Sequence, residues 1–285
     1  MRILPRPLSA SLTLAAAMAT GLLVTGCPKD SQNDEPVTYA EAKQGLTESS
    51  ASTQASDVTT SSIELTTNFT IGAAVKDAAN ELKTFVGTQL PCADIALDAA
   101  KLTVKYGAKP GNCTYHGHTF TGTHTVSIAK NDEGDVEVDH TWTDLSNGIV
   151  KVSGTANVTW SKKDVSRRVV HDLTWTRIAD GISGNGKGDR TQKALGGDIT
   201  KGIQVDGSRS WDGKSGHWDL AISGVEMRWA DPVPQAGTYT LSTPNKKTLS
   251  ISFSRLSDTQ IQVTLASGTK SFKFVVAKAG AITDA

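Results

Sequence analysis

TYHGHTFTGTHTVSIAKNDEGDVEVDHTWTDLSNGIVKVSGTANVTWSKKDVSRRVVHDLTWTR, residues Thr114 to Arg177, is the stretch whose reading decides the fold. Apolar and aromatic residues fall on alternate positions: Phe120, Val126 and Ile128, then Val136, Val138 and Trp142, then Val150, Val152, Ala156, Val158 and Trp160, then Val169, Leu173 and Trp175. A period of two is the mark of strands with one face buried. Asn131-Asp132-Glu133-Gly134, Ser146-Asn147-Gly148 and Lys162-Lys163-Asp164 separate the runs with turn-forming residues. The pairs Thr141-Trp142, Thr159-Trp160 and Thr174-Trp175 recur about one strand and one turn apart, which is the step of an antiparallel meander.

Outward from this stretch the pattern holds on both sides. Leu102–Tyr106 reads as a strand before it. Gly202–Trp211, His217–Trp229, Thr238–Ser242, Thr248–Arg255, Gln260–Leu265 and Ser271–Ala277 read as strands after it. Between the two groups, DGISGNGKGDRTQKALGGD reads as a glycine-rich excursion. Ala73–Val86 carries Val75, Ala78, Ala79, Leu82, Phe85 and Val86 at helical spacing with Gly87 behind it, the one amphipathic helix. The expected fold is mainly all-β: a large antiparallel meander sheet, either a sandwich or a half-open barrel, with this helix packed on it over a seam of Trp142, Trp160 and Trp175. The expected organisation is a signal segment at 1–26, a flexible tether at 27–61 and one β domain at 62–285. Within the tether, Thr38 and Glu41 form a capping-box pattern for a short helix from Tyr39 to Leu46. The Ser/Thr run after it lacks the large apolar residues that offset ordering, and Ile63–Thr67 opens the domain as a strand.

At the N-terminus, Arg2 and Arg6 precede an apolar run that ends Val24-Thr25-Gly26-Cys27, the layout of a secretory signal. These last four residues resemble the lipobox of bacterial lipoproteins. The resemblance implies cleavage before Cys27, a diacylglycerol on its thiol and an acyl chain such as palmitate on its amine. It also implies the outer membrane, because Pro28 rather than Asp follows the lipidated residue. The whole chain is similar to predicted lipoproteins of Gram-negative bacteria that carry no assigned activity. Removing residues 1–26 takes Arg2 and Arg6 from the 29 basic residues, which then fall two short of the 29 acidic ones. That balance offers no basic patch for nucleic acid. With Cys27 lipidated, Cys92 and Cys113 remain as an even pair in an oxidising compartment, so a disulfide between them is expected.

Candidate chemistry concentrates in the histidines. If Ile128 pairs with Val136, His124 stands opposite His140, and His116 and His118 share their side of the sheet. Imidazoles so gathered are ligands for zinc or copper. The alternative is that these rings pack among Trp and Thr neighbours. Gly184–Asp189 suggests a phosphate loop or a calcium turn, but the phosphate loop lacks Ser or Thr after Gly-Lys and the calcium turn lacks repeats. There is no Gly-x-Ser-x-Gly elbow, so no catalytic residue is assigned and no enzyme is expected. Two readings remain. One is a membrane-anchored envelope lipoprotein with a structural, adhesive or partner-binding role toward protein or carbohydrate. The other is a carrier or receptor for a lipid in a half-open barrel, whose outline looks like the outer-membrane lipoprotein receptors. A Trp-lined face left empty favours the carrier; a packed one favours the first reading.

Overall fold

The computed structural model describes residues 35–66, 75–130, 136–161, 166–229, 231–278 and 280–285. The signal segment with Cys27, the turns at 131–134 and 162–164, and the start of the predicted helix at Ala73 lie outside them. Two helices come first, α1 (Tyr39–Thr66) and α2 (Val75–Gln89). Sixteen strands follow: β1 (Asp94–Asp98), β2 (Lys101–Tyr106), β3 (Thr114–Tyr115), β4 (His118–Thr119), β5 (Thr121–Lys130), β6 (Val136–Ser146), β7 (Val150–Ser161) and β8 (Ser166–Arg177), then β9 (Ser183–Ala194), β10 (Ile203–Gly213), β11 (Gly216–Met227), β12 (Ala236–Ser242), β13 (Thr248–Arg255), β14 (Gln260–Ser267), β15 (Lys270–Ala277) and β16 (Ile282–Asp284).

Among the described residues, fourteen strands form one antiparallel sheet in chain order, with only the short hairpin β3–β4 outside it. The predicted meander is therefore the fold, and a sandwich is excluded because one sheet holds every long strand. The sheet does not close into a barrel; β1 and β16 are its edges. Its parity is as read: Val136, Val138, His140 and Trp142 of β6, Val150, Val152, Val158 and Trp160 of β7, and Val169, His171, Leu173 and Trp175 of β8 are all buried. The register of β5 on β6 is shifted by two residues from expectation, with Ile128 opposite Val138 and His124 opposite Trp142. The ladder ends with Lys130 paired with Val136. Bulges bend the sheet, one of them between Val205 and Gly207. Gly207 has φ 130° there, and a Cβ would come 2.2 Å from the Asp189 carbonyl oxygen.

The main correction concerns the predicted tether. Residues 39–61 are not a flexible leader but most of α1, a helix of 28 residues that is buried from Gly45 onward apart from the half-buried Thr47 and Asp57. The short helix expected at Tyr39–Leu46 is merged into it, as is the strand expected at Ile63–Thr67 up to Thr66; Thr67 lies outside the described residues. The capping box does form: the Thr38 amide donates to Glu41 Oε2 at 2.7 Å and the Glu41 amide to Thr38 Oγ1 at 3.2 Å. Beyond it the Ser/Thr run stays helical because its hydroxyls bond back to the helix's own carbonyls. Ser49 donates to Leu46 at 3.1 Å, Thr59 to Ser56 at 2.9 Å, Ser62 to Thr59 at 2.8 Å and Thr66 to Ser62 at 2.8 Å. With those donors satisfied locally, a polar sequence can enter a core.

The sheet curls around this helix. Trp142 of β6 donates its Nε1 proton to Ser62 at 2.9 Å, while β8, β9 and β10 meet α1 through Arg167, Arg190 and Arg209. Gly45 lies against Trp218 of β11, Leu241 of β12 and Leu249 of β13. The tryptophan seam thus faces α1, not α2. Helix α2 buries Ala79, Leu82 and Val86 near the β1 edge and runs past Gly87 to Gln89. Cys92 and Cys113 are bonded, with Cα atoms 5.4 Å apart, and tie the end of that helix to the β3–β4 hairpin. No helix among the described residues is long and apolar enough to cross a membrane.

Candidate functional site

The histidines separate into two pairs. His116 and His118 do not share a strand face, because the chain reverses between β3 and β4 with positive φ at His116 and Gly117. His116 stacks on Tyr115 and sets its edge to Trp229, with centroids 4.1 and 4.5 Å away, and His118 Nδ1 contacts Asn147 Nδ2 at 2.9 Å. His124 and His140 do meet, diagonally across β5 and β6: Nε2 of His124 lies 2.9 Å from Nδ1 of His140, and Nδ1 of His124 lies 3.2 Å from the Tyr106 hydroxyl. The tautomers that satisfy this chain run from the Tyr106 proton to His124 and from the His124 proton to His140. It is a relay of hydrogen bonds inside the core, stacked on Trp142, and it spends on protein the lone pairs a metal would need. Burial lowers the pKa of His140 to about 3, and that of His124 well below the usual range with His140 adding to the effect. Among the described residues no three His, Cys, Asp or Glu side chains are placed to hold a metal ion. The expected zinc or copper site at His116, His118, His124 and His140 is therefore not assembled; the packing alternative describes these rings.

Gly184–Asp189 is neither a phosphate loop nor a flexible excursion. It is the middle of β9, paired residue for residue with β8 and β10. Gly184, Gly186 and Gly188 face the hollow of the sheet at strand period, where Cβ atoms would approach Trp175 at 2.7 Å, Trp211 at 2.6 Å and His171 at 2.6 Å. The glycines make room for the large side chains of the flanking strands.

Two polar features stand out, one on each face of β6–β11. Inside, Arg167, Arg190 and Arg209 on three adjacent strands point at α1 and are at most 4% exposed. Arg167 pairs with Glu64 of the helix and donates from Nε to Gln192 at 2.6 Å. Arg190 bonds Ser56 and reaches His171 Nδ1 at 3.0 Å. Arg209 donates to the Ser52 carbonyl and to Thr53 Oγ1, both at 3.0 Å. Burial lowers Arg167 and Arg190 to about 9, which leaves both charged at neutral pH, and lowers His171 to about 2. Burial also raises Asp57 well above the usual carboxylate range, against the pull of Arg209 and Arg190. Strand parity carried a signal for this row: Arg167 is in phase with Val169 and His171, and Arg209 with Trp211.

Outside, the same strands form a trough of about 930 Å³. Two rows of outward residues cross it in register. One runs Asp139, Asn157, Val170, Asp189, Ser208, Ala221; the other runs Thr141, Thr155, Asp172, Lys187, Ser210, Asp219. Six strands at about 4.8 Å spacing make it roughly 24 Å long. Asn157 Nδ2 donates to Asp139 at 2.9 Å and to Glu137 at 2.7 Å, and Arg168 Nε donates to Asp189 at 2.8 Å, which lowers the Asp189 pKa. Lys187 sits 3.6 Å from Asp172. His217 contacts Asp212 at 2.8 Å and Asp219 at 3.3 Å, and its pKa is raised, chiefly by Asp212. The result is a broad, shallow surface of short hydroxyl, amide and carboxylate groups with an excess of negative charge. The sequence exposed the parity of these residues but not that successive outward rows would line up as a trough, which depends on register.

Compared with known protein families, curated proteins and solved structures, the chain matches none.

Proposed function

We propose that this chain is a lipid-anchored protein of the bacterial envelope, held by Cys27 at the outer membrane, whose β domain docks a protein or carbohydrate partner and catalyses nothing. The observation that carries the docking role is the division of the sheet's two faces. The Trp-bearing face is filled by α1, whereas the trough of about 930 Å³ lies on the opposite, solvated face. A filled hollow supports docking over an open lipid carrier. The outward Lys, Thr, Asp and Asn residues are the reverse of the apolar band a lipid-embedded barrel presents, which supports a domain held beside the membrane rather than in it. The anchor rests on the Val24-Thr25-Gly26-Cys27 pattern, and two acyl chains or more make such an attachment stable.

Two experiments test this. Mass spectrometry of the membrane-extracted protein should find residues 1–26 removed and Cys27 lipidated, and Cys27→Ser should release the protein from the membrane fraction; an unmodified Cys27 in a membrane-bound protein contradicts the anchor. A photo-crosslinking residue at Thr155, in the trough, should give a discrete adduct in intact cells. The same probe at Thr264 of β14 should not. Equal labelling at both positions contradicts docking in the trough.

A further inference from the structure

Helix α1 is an unusual core element. Of its 28 residues eleven are Ser or Thr, and its large buried apolar side chains are only Leu46, Val58, Ile63 and Leu65. What faces it from the sheet is mixed in a particular way: the guanidiniums of Arg209, Arg190 and Arg167 run along its second half from Ser52 to Glu64, with Trp142 among them at Ser62 and Trp218, Leu241 and Leu249 beside Gly45 toward the other end. The helix answers the guanidiniums with the Glu64 carboxylate, the Ser52 carbonyl and hydroxyls of Thr53 and Ser56. This seam is also where buried polar atoms lack protein partners among the described residues: Ser50 Oγ, Gln54 Oε1 and Ser61 Oγ on the helix, and Arg190 Nε, Gln192 Nε2 and Arg209 Nε on the sheet. Buried polar atoms of this kind take a partner from protein, water or ligand. Arg190 Nε and Arg209 Nε are donors left over by the hydroxyl and carbonyl contacts of α1, and the Asp57 carboxylate lies within electrostatic reach of both side chains.

We infer that α1 is a displaceable occupant and that the hollow it fills is a binding site for an anionic amphiphile, with the head group on Arg167, Arg190 and Arg209 and an acyl chain along the Trp218, Leu241 and Leu249 wall. A phosphate or carboxylate offers several acceptor oxygens to a guanidinium fork, where α1 bonds Arg190 and Arg209 through single hydroxyl and carbonyl oxygens. The part of α1 ahead of Ser52, thirteen residues from Tyr39 to Ala51, spans about 20 Å, room for an acyl chain on that side of the arginines. A second cavity of about 530 Å³, bounded by Gln44, Glu48, Asp180, Lys214 and Ser215, opens beside the first turns of α1 and supplies the mouth. The inference goes beyond the docking role and does not rest on it: trough and hollow are opposite faces of the same strands.

The test uses the full chain with three probes: palmitoyl-lysophosphatidylglycerol (phosphate head), palmitate (carboxylate head) and monopalmitoylglycerol (no charge), read by native mass spectrometry and hydrogen exchange. The expected result is one-to-one binding of the charged probes, at least tenfold tighter than the neutral one. Amides of residues 45–66 should then exchange at least tenfold faster, with β7–β9 unchanged. The stronger of the two charged probes identifies the head group. Arg209→Gln should weaken binding at least tenfold, whereas Glu64→Gln, which removes the carboxylate competing for Arg167, should strengthen it. Absence of one-to-one binding, equal binding of the neutral probe, or binding that leaves exchange of 45–66 unchanged overturns the proposal. These three readings come from the unmutated chain and hold even if a variant fails to fold.

Discussion

The two helices of this protein reach the core by opposite routes. Helix α2 does so by amphipathicity: Ala79, Leu82 and Val86 are buried while Asn80, Glu81 and Lys83 face water. Helix α1 exposes Tyr39, Ala40, Lys43 and Gln44 in its first turns, but from Glu48 on it has no such stripe and only Asp57 is not fully buried. Its hydroxyls bond its own backbone, and strands β8 to β10 bring guanidiniums to its remaining polar groups. The difference teaches that helical periodicity reports a boundary between core and solvent, not helicity itself. A helix enclosed by a sheet has no solvent side, so its sequence need carry no period.

The largest expected effect separates the two regions by pH. His140 and His171 line the wall around α1, are buried, and are held neutral with pKa values near 3 and 2. Both have their pKa lowered on folding, so the unfolded chain binds protons more readily. Stability is then full above an unfolded pKa of about 6.5 and falls as pH drops below it, by ~1.4 kcal/mol per unit for each histidine. Between pH 6.5 and 4.5 these two together should cost about 5 kcal/mol, measured as a shift in urea midpoint. A midpoint unchanged over that range would contradict the buried neutral state.

Next comes the ion pair. Arg167→Met leaves Glu64 buried without its partner and should destabilise by about 3–5 kcal/mol. Leu82→Ala in α2 should cost about 2–5 kcal/mol by cavity formation. If the polar contact in α1 matters less than the apolar one in α2, the contrast drawn between the helices fails. The smallest effect is at the cap. Thr38→Ala removes the acceptor for the Glu41 amide and should cost ~1 kcal/mol in thermal unfolding.

Much of the sheet was legible. Alternation placed β6, β7 and β8 and their inward faces correctly because one face of each is buried and the other is wet. What was not legible has physical reasons. The His124–His140 contact depended on a register that sequence leaves free by two residues. Strand β9 was hidden because Gly184, Gly186 and Gly188 have no side chains to reveal alternation, although their own spacing of two carries it. Helix α1 was hidden because a Ser/Thr-rich run has the composition of a tether, and only the sheet around it makes burial favourable. Of the candidate sites, the histidine cluster dissolved into packing, while the outer trough and the arginine row emerged only once the strands were aligned.

The most direct measurement is hydrogen exchange along residues 39–66 in the unliganded protein. A helix enclosed by the sheet should exchange as slowly over 45–66 as β7 and β8, with faster exchange only near Tyr39. Complete exchange of 45–66 within seconds, while the strands remain protected, would make this segment a tether and contradict the account.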